Sequence, residues 1–218
     1  MSTAPAPAPL AIPRSLFLFS LFYGGMVCMA GILGVKQVAL GPLAVEAGIF
    51  AFLLLVALGS AVAELYGQAT ATRLVRFGFV PMITAAVLIQ IVLLLPADQN
   101  MYAPAVSAFP IVVGQGARMM MAGFISYGTS QTLNVLIFSK LSRGEGKLIW
   151  LRGMIASTVS QIIDTLLFIT ISFLGERPIL PLMAGQMLTK VVLSVVFVPW
   201  LITGLVWLGR RIDSRQAG

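Results

Sequence analysis

One apolar run carries the side chains best able to do chemistry: Ser157-Thr-Val-Ser-Gln-Ile-Ile-Asp164-Thr-Leu-Leu-Phe168. Gln161 and Asp164 stand three residues apart and Ser157 four before Gln161, so a helix presents all three on one face, with Ser160 beside it. The set combines amide donors, amide acceptors and a carboxylate, the groups that recognise a flat polar molecule. Thirty residues earlier the same pattern occurs: Ile125, Ser130, Gln131, Asn134, Leu136 and Phe138 match Ile155, Ser160, Gln161, Asp164, Leu166 and Phe168. Both copies read I-x4-S-Q-x2-[N/D]-x-L-x-F. Thirty residues is one membrane span plus one loop, so the copies fall on successive antiparallel helices, as the half-sites of inverted-repeat transporters do. The plainer alternative for the Ser, Thr, Asn and Gln residues is hydrogen-bond glue between helices, at about 0.6–2 kcal/mol per contact.

Asp164 stands apart, because a charge at the centre of a bilayer costs at least about 2.5–3.5 kcal/mol. It lies about 18 Å into its helix from one end, and Lys190 about 15 Å into the next helix from the other. Both therefore reach mid-depth on neighbouring helices. They are expected to face one another as an ion pair or to hold a ligand between them. Glu64 is placed near the inner edge of its span, where a merely interfacial acid is the alternative. Arg118 lies two turns from the outer end of its span and has the option of snorkelling outward. Arg152 opens its span and doubles as an inner-face anchor. Glu46, at the outer edge, is assigned no role.

These residues sit in a chain built for lipid. Of its 218 residues 59% are hydrophobic and 10% charged, with mean hydropathy +1.00. Soluble domains are about 25% charged. Six spans are expected, near 15–35, 43–65, 79–96, 113–138, 151–174 and 180–208. Turn residues or charge mark each break. The fold class is an all-α membrane protein, a six-transmembrane-helix bundle forming one domain over 14–210. An extended, disordered Ala/Pro tail is expected at 1–13 and a short cytoplasmic tail at 211–218. The first apolar segment is too long to be the core of a signal peptide.

Six spans put both termini on one side, with the second and fourth loops. That side collects Arg14, Arg73, Arg76, Lys140, Arg143, Lys147, Arg152, Arg210, Arg211 and Arg215, ten of the fourteen cations. The other has only Lys36 and Arg177. The positive-inside rule then makes both termini cytoplasmic. The net charge of +7 does not indicate nucleic acid, because the cations are dispersed between spans.

Enzyme readings fail for lack of parts. There is no histidine and only Cys28 as a thiol, so a Ser–His hydrolase, a zinc centre and an intrachain disulfide are excluded. Asp164 is the one mid-depth aspartate, which leaves no carboxylate dyad. No GxxxxGK[ST] stretch occurs, so there is no ATPase in cis. No cofactor is expected, and the remaining inventory suits a carrier or the binding half of one.

Several of these stretches also carry a family likeness. Ala63-Glu64-Leu65-Tyr66-Gly67 with Ala71-Thr72-Arg73, Arg118, Ser130-Gln131-x2-Asn134-x3-Phe138, Leu151-Arg152-x4-Ser157-Thr158-x-Ser160-Gln161-x2-Asp164-Thr165-x2-Phe168, and Lys190 with Pro199 resemble the queuosine precursor transporter family, also called the vitamin-uptake-transporter family. The resemblance runs from the second span to the sixth. It implies a bacterial inner-membrane protein that imports 7-deazaguanine precursors of queuosine, the choice between the 7-cyano base preQ0 and the 7-aminomethyl base preQ1 staying open. It further implies that Asp164 accepts from the donor edge of the base while Gln131, Asn134 and Gln161 meet its other groups, with Phe138, Phe168 or Tyr127 stacking on the ring. The chain departs from the family pattern at Ser60 and Asn134, where relatives often carry Asp, which makes Asp164 and Glu64 the chief remaining acids. The partners expected are thus this small molecule and the lipid bilayer, a homodimer being compatible. The competing classes are a substrate-binding subunit of an energised uptake complex, a carrier of another purine-like base or vitamin, and a non-transporting membrane protein.

Overall fold

The computed structural model describes residues 12–40, 43–114, 116–141, 148–175 and 178–214. Residues 1–11 and 215–218 of the expected tails, and the cations Arg143, Lys147, Arg177 and Arg215, lie outside them. The chain runs α1 (Arg14–Leu33), β1 (Gln37–Leu40), β2 (Leu43–Glu46), α2 (Gly48–Leu94), α3 (Ala103–Val113), α4 (Ala117–Lys140), α5 (Ile149–Phe173) and α6 (Leu180–Ser214). Among the described residues four helices, α1, α2, α5 and α6, are long and apolar enough to cross a membrane. A fifth span arises if α3 and α4, bent by 48°, are taken together. Large apolar side chains point outward along these helices, among them Trp200, Phe77 and Ile91. Such a surface is suited to lipid rather than water.

The expected second and third spans follow one another without a loop as α2, which is broken at Gly67 (φ 83°, ψ 163°). The ten residues after that glycine, expected as a loop, are helical; they hold no proline or glycine to stop a helix. A straight α2 would separate Gly48 from Gln90 by about 60 Å, yet both line one cavity. Leu55, Leu58 and Val62 from before the break likewise share a core cluster with Ala71, Leu74 and Val75 from after it. α2 is therefore a helical hairpin, with arms 48–66 and 68–94 folded back on one another at Gly67. Gly67 occupies a backbone region that only glycine adopts at low cost.

Four more expectations are corrected. Residues 37–46 are not a plain loop leading into a helix at 43. They form an antiparallel ribbon with Gln37 opposite Glu46, so the fold is helical with one small β-hairpin. Val45 of that ribbon is buried against Ile49, Leu53 and Val198. The supposed loop before the fourth span contains α3, which opens on Pro104 in its first turn, where proline lacks no needed N–H. α4 begins at Ala117 and not 113. α6 continues to Ser214, so 211–214 belong to the helix and not to a tail.

Glycines bring the helices close. A Cβ on Gly153 would fall 2.4 Å from Ile202 Cδ1, and one on Gly209 would fall 2.5 Å from Leu65 Cδ1, the small-residue contacts by which membrane helices pack. Gly67→Ala meets no neighbouring atom within 4 Å, so its penalty is backbone strain alone, about 1–3 kcal/mol. We expect that variant to insert normally and to melt several degrees lower in detergent; an unchanged melting curve would show that the turn does not depend on glycine.

Candidate functional site

α1, the β-hairpin, both arms of α2, the end of α3 and the inner faces of α4, α5 and α6 surround a cavity of about 620 Å³. That is within the roughly 300–1,000 Å³ of small-molecule sites. Most of its wall is apolar, with Asp164, Lys190, Glu46, Gln186 and Gln90 among the polar groups.

The ion pair expected between α5 and α6 is present. Lys190 Nζ donates to Asp164 Oδ2 at 3.2 Å, and Ser130 Oγ of α4 donates to Oδ1 at 3.3 Å. Both ionic side chains are only 7% exposed. Each needs the other, since an uncompensated charge at this depth is far costlier than a pair. Both also line the cavity. Pairing and facing a ligand are thus compatible: a carboxylate has about four acceptor sites, and an ammonium three donors.

Antiparallel α4 and α5 keep one register from end to end. Arg118 donates to the carbonyls of Ile171 (2.5 Å) and Leu174 (2.7 Å), Ser130 meets Asp164, and Arg152 reaches the Phe138 carbonyl at 3.4 Å. This register puts Gln131 and Gln161, the matched residues of the repeat, at one level. Both are fully buried, and neither amide has a protein partner for its nitrogen or its oxygen. Asn134 donates from Nδ2 to Val56 O (3.3 Å) and Ser60 Oγ (3.1 Å). The two positions at which the chain departs from the family pattern therefore touch one another. Ser160 Oγ donates back to Ser157 O at 3.0 Å. Gln131, Asn134, Gln161, Ser130 and Ser160 form a buried polar layer behind Asp164 and are not themselves cavity wall.

Other expected residues lie elsewhere. Glu64 and Arg152 meet at 3.0 Å, about twelve residues or 18 Å along α5 from Asp164. The Arg152 guanidinium lies 4.3 Å from the Phe138 ring centroid. Phe138, wholly buried beneath it, does not reach the cavity. Arg118 serves the last carbonyls of α5, which a helix leaves without internal donors. Of the aromatics, Phe168 and Tyr127 do line the cavity. Phe168 packs edge-on to Phe173, with centroids 6.5 Å apart. The Tyr127 hydroxyl donates to Val75 O at 3.2 Å and lies 3.1 Å from that of Tyr23. Sequence reasoning missed Gln186 and left Glu46 without a role. A glutamine one turn before Lys190 was the available signal.

A bundle with lipid-suited outer faces, closing around a cavity with an ion pair in its wall, has the build of a multi-pass membrane transporter. The chain belongs to the family described as "Putative vitamin uptake transporter", whose profile matches residues 46–204. It is 31% identical over 143 residues to a Bacillus subtilis (strain 168) protein named "Probable queuosine precursor transporter", an alignment covering 63% of this chain and 61% of that relative. No solved structure matches the chain.

Neutralising one member of the Asp164–Lys190 pair strands the other. We expect Asp164→Asn or Lys190→Met alone to destabilise by about 3–5 kcal/mol, and the double variant to recover most of that loss, read as melting temperature in detergent. Additive losses would show that the two charges are not coupled.

Proposed function

We propose that this protein is a carrier importing a 7-deazaguanine precursor of queuosine, preQ0 or preQ1, across the bacterial inner membrane. The observation that carries the proposal is a cavity of about 620 Å³ whose wall combines aromatic faces with the Asp164–Lys190 pair. A deazaguanine presents ring and exocyclic N–H donors beside a carbonyl acceptor, so it can accept from the ammonium and donate to the carboxylate. Phe168 and the Tyr127 ring supply stacking surfaces. The relative named for a queuosine precursor supports the choice of substrate.

In this reading α2 crosses twice and α3 with α4 once, for six crossings with both termini inside. The cavity then faces outward, on the side of the β-hairpin. The inner side is closed by Glu64–Arg152 and by Asp213, which accepts from Ser15 Oγ at 2.9 Å and from the Tyr66 hydroxyl. Delivery to the cytoplasm requires these contacts to part.

The test is tRNA queuosine in a precursor auxotroph that lacks its own transporter and any vitamin-uptake ATPase, supplied with preQ0. Wild type should restore queuosine, and Asp164→Asn should fall to the empty-vector level. Asp164→Lys with Lys190→Asp should express and remain folded without restoring uptake. Undiminished queuosine with Asp164→Asn would refute the site, failure of wild type both with and without an added ATPase complex would refute the substrate, and rescue only on adding that complex would favour the binding-subunit reading.

A further inference from the structure

Gln186 sits one helical turn before Lys190 on α6, and both line the cavity. It is 1% exposed. Its Nε2 donates to Glu46 Oε1 at 3.2 Å, while its Oε1 has no protein partner. The orientation of this amide follows from chemistry. A carboxylate only accepts, so Glu46 can meet Gln186 only through the NH2 group, and the carbonyl oxygen is turned away from Glu46. Glu46 in turn ends β2, opposite Gln37 in the ribbon, next to the buried Val45. The β-hairpin thereby decides which end of this buried glutamine is left without a protein partner.

We propose that Gln186 is a specificity-determining residue: its Oε1 accepts a hydrogen bond from an N–H of the bound base, and Glu46 is the positioning residue that holds the NH2 end and so keeps the acceptor unpaired with protein. This rests on the reading of the cavity as a deazaguanine site and names one of its contacts. A tether between hairpin and helix needs only the NH2 group and gains nothing from a buried acceptor left without a donor, which is unfavourable wherever it occurs. An acceptor reserved for substrate explains both ends of the amide. It also gives selectivity, since a site built to bond an N–H rejects an analogue lacking it more strongly than an apolar wall does.

The experiment is equilibrium binding to the purified full-length protein in nanodiscs. The ligands are preQ0 and three analogues that each lack one donor: without the 2-amino group, methylated at N1, or methylated at N9. Wild type should bind one analogue roughly ten- to a hundredfold more weakly than preQ0. In Gln186→Leu that ratio should collapse to below about threefold while the other two ratios hold. In Glu46→Gln, where the amide is free to turn over, it should fall between; this second variant keeps a hydrogen-bonding partner and guards against misfolding of the first. Gln186→Leu with all ratios unchanged, or with all four ligands weakened alike, overturns the proposal. Wild type binding none of the four would overturn the deazaguanine reading itself, and this inference with it.

Discussion

A charge in hydrocarbon has to be answered from within the protein, and the Asp164–Lys190 pair imposes that demand on the whole bundle. For the two to meet at 3.2 Å, α5 and α6 must run antiparallel in one register. The same register brings Ile202 against Gly153, where a Cβ would come within 2.4 Å, so the close packing at the far end relies on a missing side chain. Ser130 extends the constraint to α4 by bonding the second carboxylate oxygen. Three helices are thus located by one carboxylate.

The same physics explains what could be read from sequence. A lone acid and a lone base at equal depth on adjoining helices have few alternatives to each other, and the structure pairs them. Lipid-spanning segments announce themselves by composition, so the helical content was legible. Their ends were not. Glycine at 67 and at 78 looked alike in sequence, yet only Gly67 adopts a left-handed φ; Gly78 stays helical beneath Tyr127, whose hydroxyl a Cβ there would strike at 2.2 Å. The β-hairpin was hidden because three apolar residues, Leu43, Ala44 and Val45, just before a helix suit its first turn as well as a strand. Phe138 was grouped with the cavity aromatics through the family resemblance, but it lies eleven residues, about 16 Å, along α4 from Tyr127, at the level of Arg152.

The thirty-residue repeat acquires a physical meaning from the register of α4 and α5. A two-fold operation exchanging the helices maps Ser130 onto Ser160 and Asp164 onto Asn134. On one side of it, Ser130 bonds a charged Asp164 that is tied to Lys190 and faces the cavity. On the other, neutral Asn134 turns to Ser60 and Val56, and Ser160 bonds its own helix. Pseudo-symmetry of the backbone is thus broken by one charge. Gln131 and Gln161 lie where the two halves meet, with their hydrogen-bonding groups unengaged by protein.

The two ionic layers that flank this amide layer are not equally easy to open. Asp164 and Lys190 are each 7% exposed, and parting them would leave two buried charges without counterions. Glu64 is 16% exposed at the edge of the bundle, where water can take over its hydration. Arg152, if parted from it, still has the Phe138 carbonyl and ring. The Glu64–Arg152 contact therefore separates at lower cost, and on the carrier reading it is the one that yields. Asp164 and Lys190 are better suited to change partners than to go without, each exchanging part of its bond to the other for a bond to a ligand that carries donor and acceptor side by side. On the carrier reading, a flat amide-bearing base meets that requirement.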